Sequence, residues 1–109
     1  MESKNFESCI EACEVCVEAC ETCSTENIEN VAMGNSIKLC IECKDLCNEL
    51  INANKSDINL DYLCKKCELS CIACATECEK HTDMEHCKVC ADACRKCAAE
   101  CKDMISVAA

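Results

Sequence analysis

The stretch Cys9–Cys23, CIEACEVCVEACETC, places a cysteine at every third or fourth residue. Steps of three and four bring side chains to one face of an α-helix, whereas a β-strand would need steps of two. The residues between these cysteines include Glu11, Glu14 and Glu18, which fall on the opposite face. The stretch therefore predicts an amphipathic helix whose inward stripe consists of thiols where most helices carry leucine.

Three further blocks of the chain repeat this pattern. The four blocks predict helices at residues 3–26, 29–54, 57–80 and 83–105, and helices joined by short connections pack as antiparallel neighbours. We therefore expect an all-α fold, an antiparallel up-down-up-down four-helix bundle with a cysteine-lined core, in a single domain of residues 1–109. The eighteen cysteines of the four stripes are Cys9, Cys13, Cys16, Cys20, Cys23, Cys40, Cys43, Cys47, Cys64, Cys67, Cys71, Cys74, Cys78, Cys87, Cys90, Cys94, Cys97 and Cys101.

The composition agrees with this fold and limits the function. The chain has no proline, one glycine, one tyrosine and one phenylalanine, which favours helix over sheet. Its formal net charge is −10 and it has no basic run, which argues against nucleic-acid binding. The first residues, MESKNFESC, do not form a signal peptide, and no apolar run reaches the roughly 18 residues of a membrane span. The sequence therefore predicts a cytoplasmic protein with reduced thiols and no membrane partner.

Several roles for so many thiols can be weighed from the residues alone. Cysteine can act as a small apolar side chain, but a core of thiols would be underfilled and each gap would cost stability. Disulfides along one helix would be strained, because Cβ atoms three or four residues apart lie about 5–6 Å from each other and a disulfide prefers about 3.5–4.5 Å. Disulfides between helices stay open, and with them a thiol/disulfide redox protein, although redox CxxC motifs normally lie at a helix N-terminus.

Metal binding is the role that uses the whole pattern. Thiolate is a soft ligand that selects Cu(I), zinc or iron–sulfur clusters. A zinc tetrathiolate carries a double negative charge, whereas each Cu(I) ion can replace one thiol proton and leave the charge of a narrow core nearly unchanged. Iron–sulfur ferredoxin spacings are absent. The sequence therefore favours a store of multiple Cu(I) ions per chain, with a zinc–thiolate store as an alternative. No catalytic or phosphate-binding set of residues is visible, so we expect no enzyme.

Two stretches carry a more specific resemblance. Together with the repeated CxxxCxxC pattern, ECEKH at 77–81 and HCKVCADACRKCAAEC at 86–101 resemble the bacterial copper storage proteins, in particular their cytosolic branch without a leader. The resemblance extends over nearly the whole chain. It implies a four-helix bundle, assembled as a homotetramer, that holds many Cu(I) ions on inward-facing cysteines. Whether a copper chaperone or a copper enzyme is a partner stays open. Asn27 and Ser36 depart from the pattern, since each stands at a stripe position where a cysteine would be expected.

The stripes also predict that the two ends of the bundle differ. At the end that holds the chain termini, which we name the closed end, the stripe positions are the large apolar residues Phe6, Leu50, Leu60 and Met104. At the opposite end, which we name the mouth, soft or polar side chains predominate. We expect copper to enter there and His81, His86, Met33 and Met84 to act as transient ligands. The mouth positions are Asn27, Met33, Ser36, His81 and Asp83, with Met84 and His86 nearby.

Apolar residues beside the stripes complete the predicted core. They are expected to close the seams between helices, and some of them to pair with another subunit. These residues are Ile10, Val17, Leu39, Leu46, Leu63 and Leu69.

Overall fold

Four helices make up the fold. The computed structural model describes residues 2–27, 30, 33–53 and 58–108, with side chains described for 6–27, 30, 33–53 and 58–105. The helices are α1 (Glu2–Glu26), α2 (Gly34–Ile51), α3 (Leu60–Cys78) and α4 (Glu85–Ala108), and a 3₁₀ turn covers Glu79–His81. These ranges contain no strand, which confirms the predicted all-α class.

The helices form an antiparallel ring around a single axis. α1 contacts α2 and α4, and α3 also contacts α2 and α4, so each helix packs against two others. Pairs of sulfur atoms fix the direction, because Cys9 meets Cys101 at one end of α1 and Cys23 meets Cys87 at the other. The result is an elongated up-down-up-down bundle with extents of 42 × 18 × 17 Å. None of its described helices is both long enough and apolar enough to cross a bilayer.

The start of α2 differs from the prediction. The predicted start at residue 29 lies outside the described residues, but Asn30 is not helical and α2 begins at Gly34. Turn hydrogen bonds occupy the connection: the backbone N–H of Asn30 donates to Asn27 O, and that of Met33 donates to Asn30 O, both at 2.9 Å. Asparagine favours such turns because its side chain competes with helical backbone bonds. The connection is therefore longer than the sequence pattern indicated.

The bounds of the last two helices also shift. α3 begins at Leu60, and its final turn tightens into the 3₁₀ segment before the chain reverses. α4 begins at Glu85 rather than at residue 83, because the Met84 carbonyl is the one that accepts the first bond, from Lys88 N–H at 3.1 Å. It then continues to Ala108, three residues beyond the predicted end. The predicted bounds at residues 54 and 57 themselves lie outside the described residues, but α2 ends at Ile51, and residues 52–53 and 58–59 are not helical, so both helices are shorter at this connection than predicted.

Small and apolar side chains close the seams around the thiols. Five of the six flanking residues named above pack half-buried against the core, as predicted. Leu69 is the exception, because its side chain is 55% exposed. Buried alanines let the helices approach closely, and these are Ala12, Ala19, Ala75, Ala91 and Ala98.

The predicted closed end is confirmed. Leu50 is fully buried and Leu60 nearly so. Phe6 and Met104 are half-buried and pack against the same core. Large apolar side chains therefore cover the thiols at this end and separate them from water.

Candidate metal centre

All eighteen cysteines point into the bundle. Each has a relative exposure of 1% or less, and all are free thiols. The burial follows from the sequence, because steps of three and four keep every cysteine of a helix on the face that meets its neighbours. The interior of the bundle is thus lined almost entirely by sulfur.

The sulfurs are arranged in layers across the axis. Three central layers take one cysteine from each helix, because the antiparallel helices share one register. The shortest separation between sulfurs is 3.4 Å, between Cys43 and Cys71, and Cys13–Cys97 and Cys40–Cys74 are both 3.6 Å. From the closed end towards the mouth, the central layers are Cys13, Cys47, Cys67 and Cys97; Cys16, Cys43, Cys71 and Cys94; and Cys20, Cys40, Cys74 and Cys90.

The layers are also close to one another along the axis. Cys16 and Cys20 of α1 have sulfurs 4.0 Å apart, and Cys20 lies 3.9 Å from Cys94 in the next layer. Sets of four sulfurs drawn from one layer or from two adjacent layers lie within 4.8 Å of one another. An ion placed between them could bond to two or more thiolates, so the sulfurs form a continuous column of candidate soft-metal sites.

The two outermost layers contain three cysteines each. At the closed end, Cys9 and Cys101 are 3.8 Å apart, and Cys64 belongs to the same level by its register on α3. At the mouth, Cys23 and Cys87 are 3.8 Å apart, and Cys78 shares their level. In both layers α2 provides the residue that is not a cysteine.

The pKa values of these thiols differ along the column. Burial raises the pKa of Cys87 to about 11. Hydrogen bonds from Cys101 and then Cys13 lower the pKa of Cys97 to about 7, because they stabilise its thiolate. Cys87 is therefore a thiol near neutral pH, and a metal ion that binds it must displace a proton.

Asn27 links the mouth layer of thiols to a histidine. Its side chain is buried, and its Nδ2 donates hydrogen bonds to the sulfurs of Cys23 and Cys87 at 3.5 and 3.8 Å. Its Oδ1 lies 3.0 Å from His86 Nε2. Since an amide oxygen only accepts, Nε2 carries the proton, and Nδ1 of a neutral His86 keeps its lone pair for a ligand.

His81 has a different partner, which the sequence analysis missed. Its Nε2 lies 3.5 Å from Glu77 Oε2, and Glu77 Oε1 accepts hydrogen bonds from Asn35 Nδ2 at 3.2 Å and Lys80 Nζ at 3.1 Å. The bond from Lys80 is the main cause of a lowered pKa for Glu77. Glu77 thus orients His81 and connects α3 to α2. The four-residue spacing of Glu77 and His81 on one helix face was the available signal.

The remaining mouth residues lie where the stripes place them. Met33 is buried and Met84 is half-buried against the core, while Asp83 is exposed. Ser36 is completely buried, and its Oγ has no hydrogen-bond partner among the described residues. A buried hydroxyl without a partner typically costs about 1–3 kcal/mol of stability.

The chain is similar to proteins of one family. A sequence model of the family described as copper storage protein matches residues 2–106. Among solved structures, apo copper storage protein 3 from Bacillus subtilis is 40% identical, with a TM-score of 0.84 over 91% of this chain and 97% of that chain. Cu(I)-bound copper storage protein BsCsp3 is 38% identical, with a TM-score of 0.86 over 93% and 98%. No match was found among curated proteins.

A relative from another organism has the same fold. A cytosolic copper storage protein from Streptomyces lividans, with five coppers, is 30% identical, with a TM-score of 0.87 over 96% of this chain and 95% of that chain. The family match covers nearly the whole chain, including all four cysteine stripes. The chain therefore belongs to the copper storage protein family.

Proposed function

We propose that this protein stores many Cu(I) ions on the thiolates of its eighteen inward-facing cysteines and releases them again unchanged. The observation that carries the proposal is the continuous column of buried sulfurs, with separations of 3.4–4.0 Å between neighbouring helices and layers. Two relatives of the same fold bind copper, one as a Cu(I) complex and one with five coppers. The proposed role is stoichiometric and involves no catalysis.

The chemistry of the core favours Cu(I) over the alternatives. Thiolate is a soft ligand, and a monovalent ion that replaces one thiol proton leaves the core charge nearly constant, whereas each zinc tetrathiolate would add negative charge to a dry interior. A redox role would need disulfides that form and break between helices, and all eighteen cysteines of the structure are free. Neither the zinc store nor the redox protein is favoured.

Anaerobic titration with Cu(I) tests the proposal. The reduced apo protein should bind several ions per chain, up to about one per thiol, and should release protons as it does so, because most thiols are protonated at neutral pH. The measurements are copper and protein content by elemental analysis after gel filtration, and free thiols counted in the unfolded chain before loading. Binding of one ion or none by a chain whose eighteen thiols are reduced would contradict the proposal.

We propose that ions enter and leave at the mouth. Large apolar residues cover the closed end. At the mouth, the side-chain amide of Asn27 connects His86 to the outermost thiols. A surface groove of about 500 Å³ is lined by His86 and by Glu18, Glu26 and Glu85, whose charges attract cations. In this proposal His81, His86, Met33 and Met84 bind Cu(I) transiently and pass it inward.

Removal of both histidines should slow uptake without reducing the amount stored. His81→Ala combined with His86→Ala deletes two transient ligands and leaves every thiol in place, so we expect several-fold slower Cu(I) uptake in stopped-flow absorbance and an unchanged final stoichiometry. Lys88→Ala is the matched control, because it changes an exposed side chain two residues from His86 that is not a Cu(I) ligand. Uptake at the wild-type rate in the double variant would remove the histidines from the route.

The assembly and location of the protein are proposals of the same kind. The S. lividans relative is cytosolic, and the net charge of −10 suits a protein that neither binds nucleic acid nor attaches to acidic membranes. We place the store in the cytoplasm as a homotetramer. The exposed Leu69 and Ile72 on α3 are candidates for the contact between subunits. The single-domain organisation of residues 1–109 remains a proposal.

A further inference from the structure

Helix α2 supplies a residue that is not cysteine to both outer layers of the column. Leu50 lies three residues after Cys47 and belongs to the closed-end layer, and Ser36 lies four residues before Cys40 and belongs to the mouth layer. Both side chains are completely buried. The column therefore ends in two layers of three thiols. In each of them a different residue of α2 takes the place of a fourth thiol, and we name this position the fourth corner of the layer.

The surroundings of these two layers differ as well. Beyond the closed-end layer, the described stripe residues are Leu60 and the half-buried Phe6 and Met104, and none of these three is polar. Beyond the mouth layer lies Asn27, whose amide bonds both to its sulfurs and to His86. Among the described residues, the mouth layer alone combines three thiols with a polar connection, which leads to the half-buried His86.

The fourth corner of the mouth layer cannot hold a soft ion. Ser36 Oγ is buried with no hydrogen-bond partner among the described residues, and its register on α2 places Ser36 at the level of this layer. A neutral hydroxyl is a hard and weak donor, and Cu(I) prefers thiolate to oxygen. An ion in the mouth layer can therefore bond to at most three thiolates of its own layer, and no layer of thiols lies outside it.

We propose that Cys23, Cys78 and Cys87, with Ser36 at the fourth corner, form an exchange layer. This layer holds the ions that leave first, because a polar connection joins it to the edge of the bundle, and Ser36 keeps it weak by withholding a fourth thiolate. The inference rests on the proposed function and goes further, because it divides the stored ions into a mobile fraction at the mouth and a retained fraction in the four layers behind it.

A pair of single substitutions tests the exchange layer. Ser36→Cys adds a thiol at the mouth and Leu50→Cys adds one at the closed end, so both chains gain one ligand at opposite ends of α2. After anaerobic loading to saturation, a high-affinity Cu(I) chelator is added in excess and its complex is followed by absorbance.

Wild type should release copper in a fast and a slow phase. Ser36→Cys should slow the fast phase by about tenfold or more, equivalent to about 1.4 kcal/mol in the barrier. Leu50→Cys should leave the fast phase as in wild type.

A second pair gives an independent measurement. Cys78→Ser and Cys64→Ser each remove one α3 thiol from a three-thiol layer, at the mouth and at the closed end respectively. We expect Cys78→Ser to decrease the copper released in the fast phase, and Cys64→Ser to decrease only the slow phase. Equal effects of both members in either pair, or single-phase release by wild type, would overturn the exchange layer while copper storage stands. A wild-type chain that binds no Cu(I) would instead overturn the proposed function.

Discussion

Replacement of the middle layer of thiols with serine should cut off the closed-end half of the store. The variant changes Cys16, Cys43, Cys71 and Cys94, four pairs of which have sulfurs 3.4–3.9 Å apart across the axis. If ions enter only at the mouth, they must pass through this layer to reach the thiols behind it, and serine offers them no soft ligand. We therefore expect the rapidly bound copper to fall to less than about half of the wild-type amount. This loss is larger than the loss of the four replaced thiols alone would cause.

The control for this variant removes thiols from the far end of the column. Cys9, Cys64 and Cys101 changed to serine should lower the capacity only by their own share, because no ion passes through them to reach another site. Both variants are compared by anaerobic Cu(I) titration at short and long times, with circular dichroism to verify that the apo proteins are helical. A middle-layer variant that loses only a four-thiol share at the wild-type rate would show that ions reach the closed end by another route.

Loading should make an already folded protein far more resistant to unfolding. The apo chain should be helical, because its seams contain apolar residues such as Val17, Leu39 and Leu46 and its composition favours helix without any metal. An ion present at a hundred times its Kd adds about 2.7 kcal/mol to the free energy of unfolding. Six such ions together would add about 16 kcal/mol, which exceeds the about 5–15 kcal/mol that stabilises a typical domain.

Urea unfolding followed by circular dichroism measures this effect. The far-ultraviolet spectrum should hardly change on loading, while the unfolding midpoint should move to a much higher urea concentration. The reduced apo protein at the same pH, with a chelator present, is the reference state. A disordered apo chain that becomes helical only with Cu(I) would mean that metal directs the fold, as in proteins that lack an apolar seam.

The cysteine stripes were predictable because helical periodicity is a local property of the sequence. Steps of three and four fix which face of each helix is buried, and all eighteen predicted cysteines lie in the core. The closed end was predictable for the same reason, since Leu50 and Leu60 simply continue the stripes. The exposure of the apolar residues beside the stripes was harder to predict. Leu63 packs on the core while Leu69 does not, because the side of each stripe that a neighbouring helix covers depends on how the helices pack.

Features that depend on contacts between distant residues could not be predicted. The sequence marked Asn27 only as a missing cysteine, whereas the structure shows its amide joining Cys23, Cys87 and His86. The orientation of His81 by Glu77 and the grouping of sulfurs into layers likewise depend on how the helices align. That alignment is set by the connections, and the first of these proved longer than expected because Asn30 lies in a turn.

Complete burial of the sulfurs also limits what the rest of the cell can sense. If each Cu(I) takes the place of a proton, an empty and a full molecule present the same acidic helical exterior and nearly the same charge. A protein that touches only the flanks of the helices would then have no means of telling one from the other. A partner that responds to the copper content would have to contact the end of the bundle where Asn27 and His86 meet. The loading and removal of copper would then be regulated at that end.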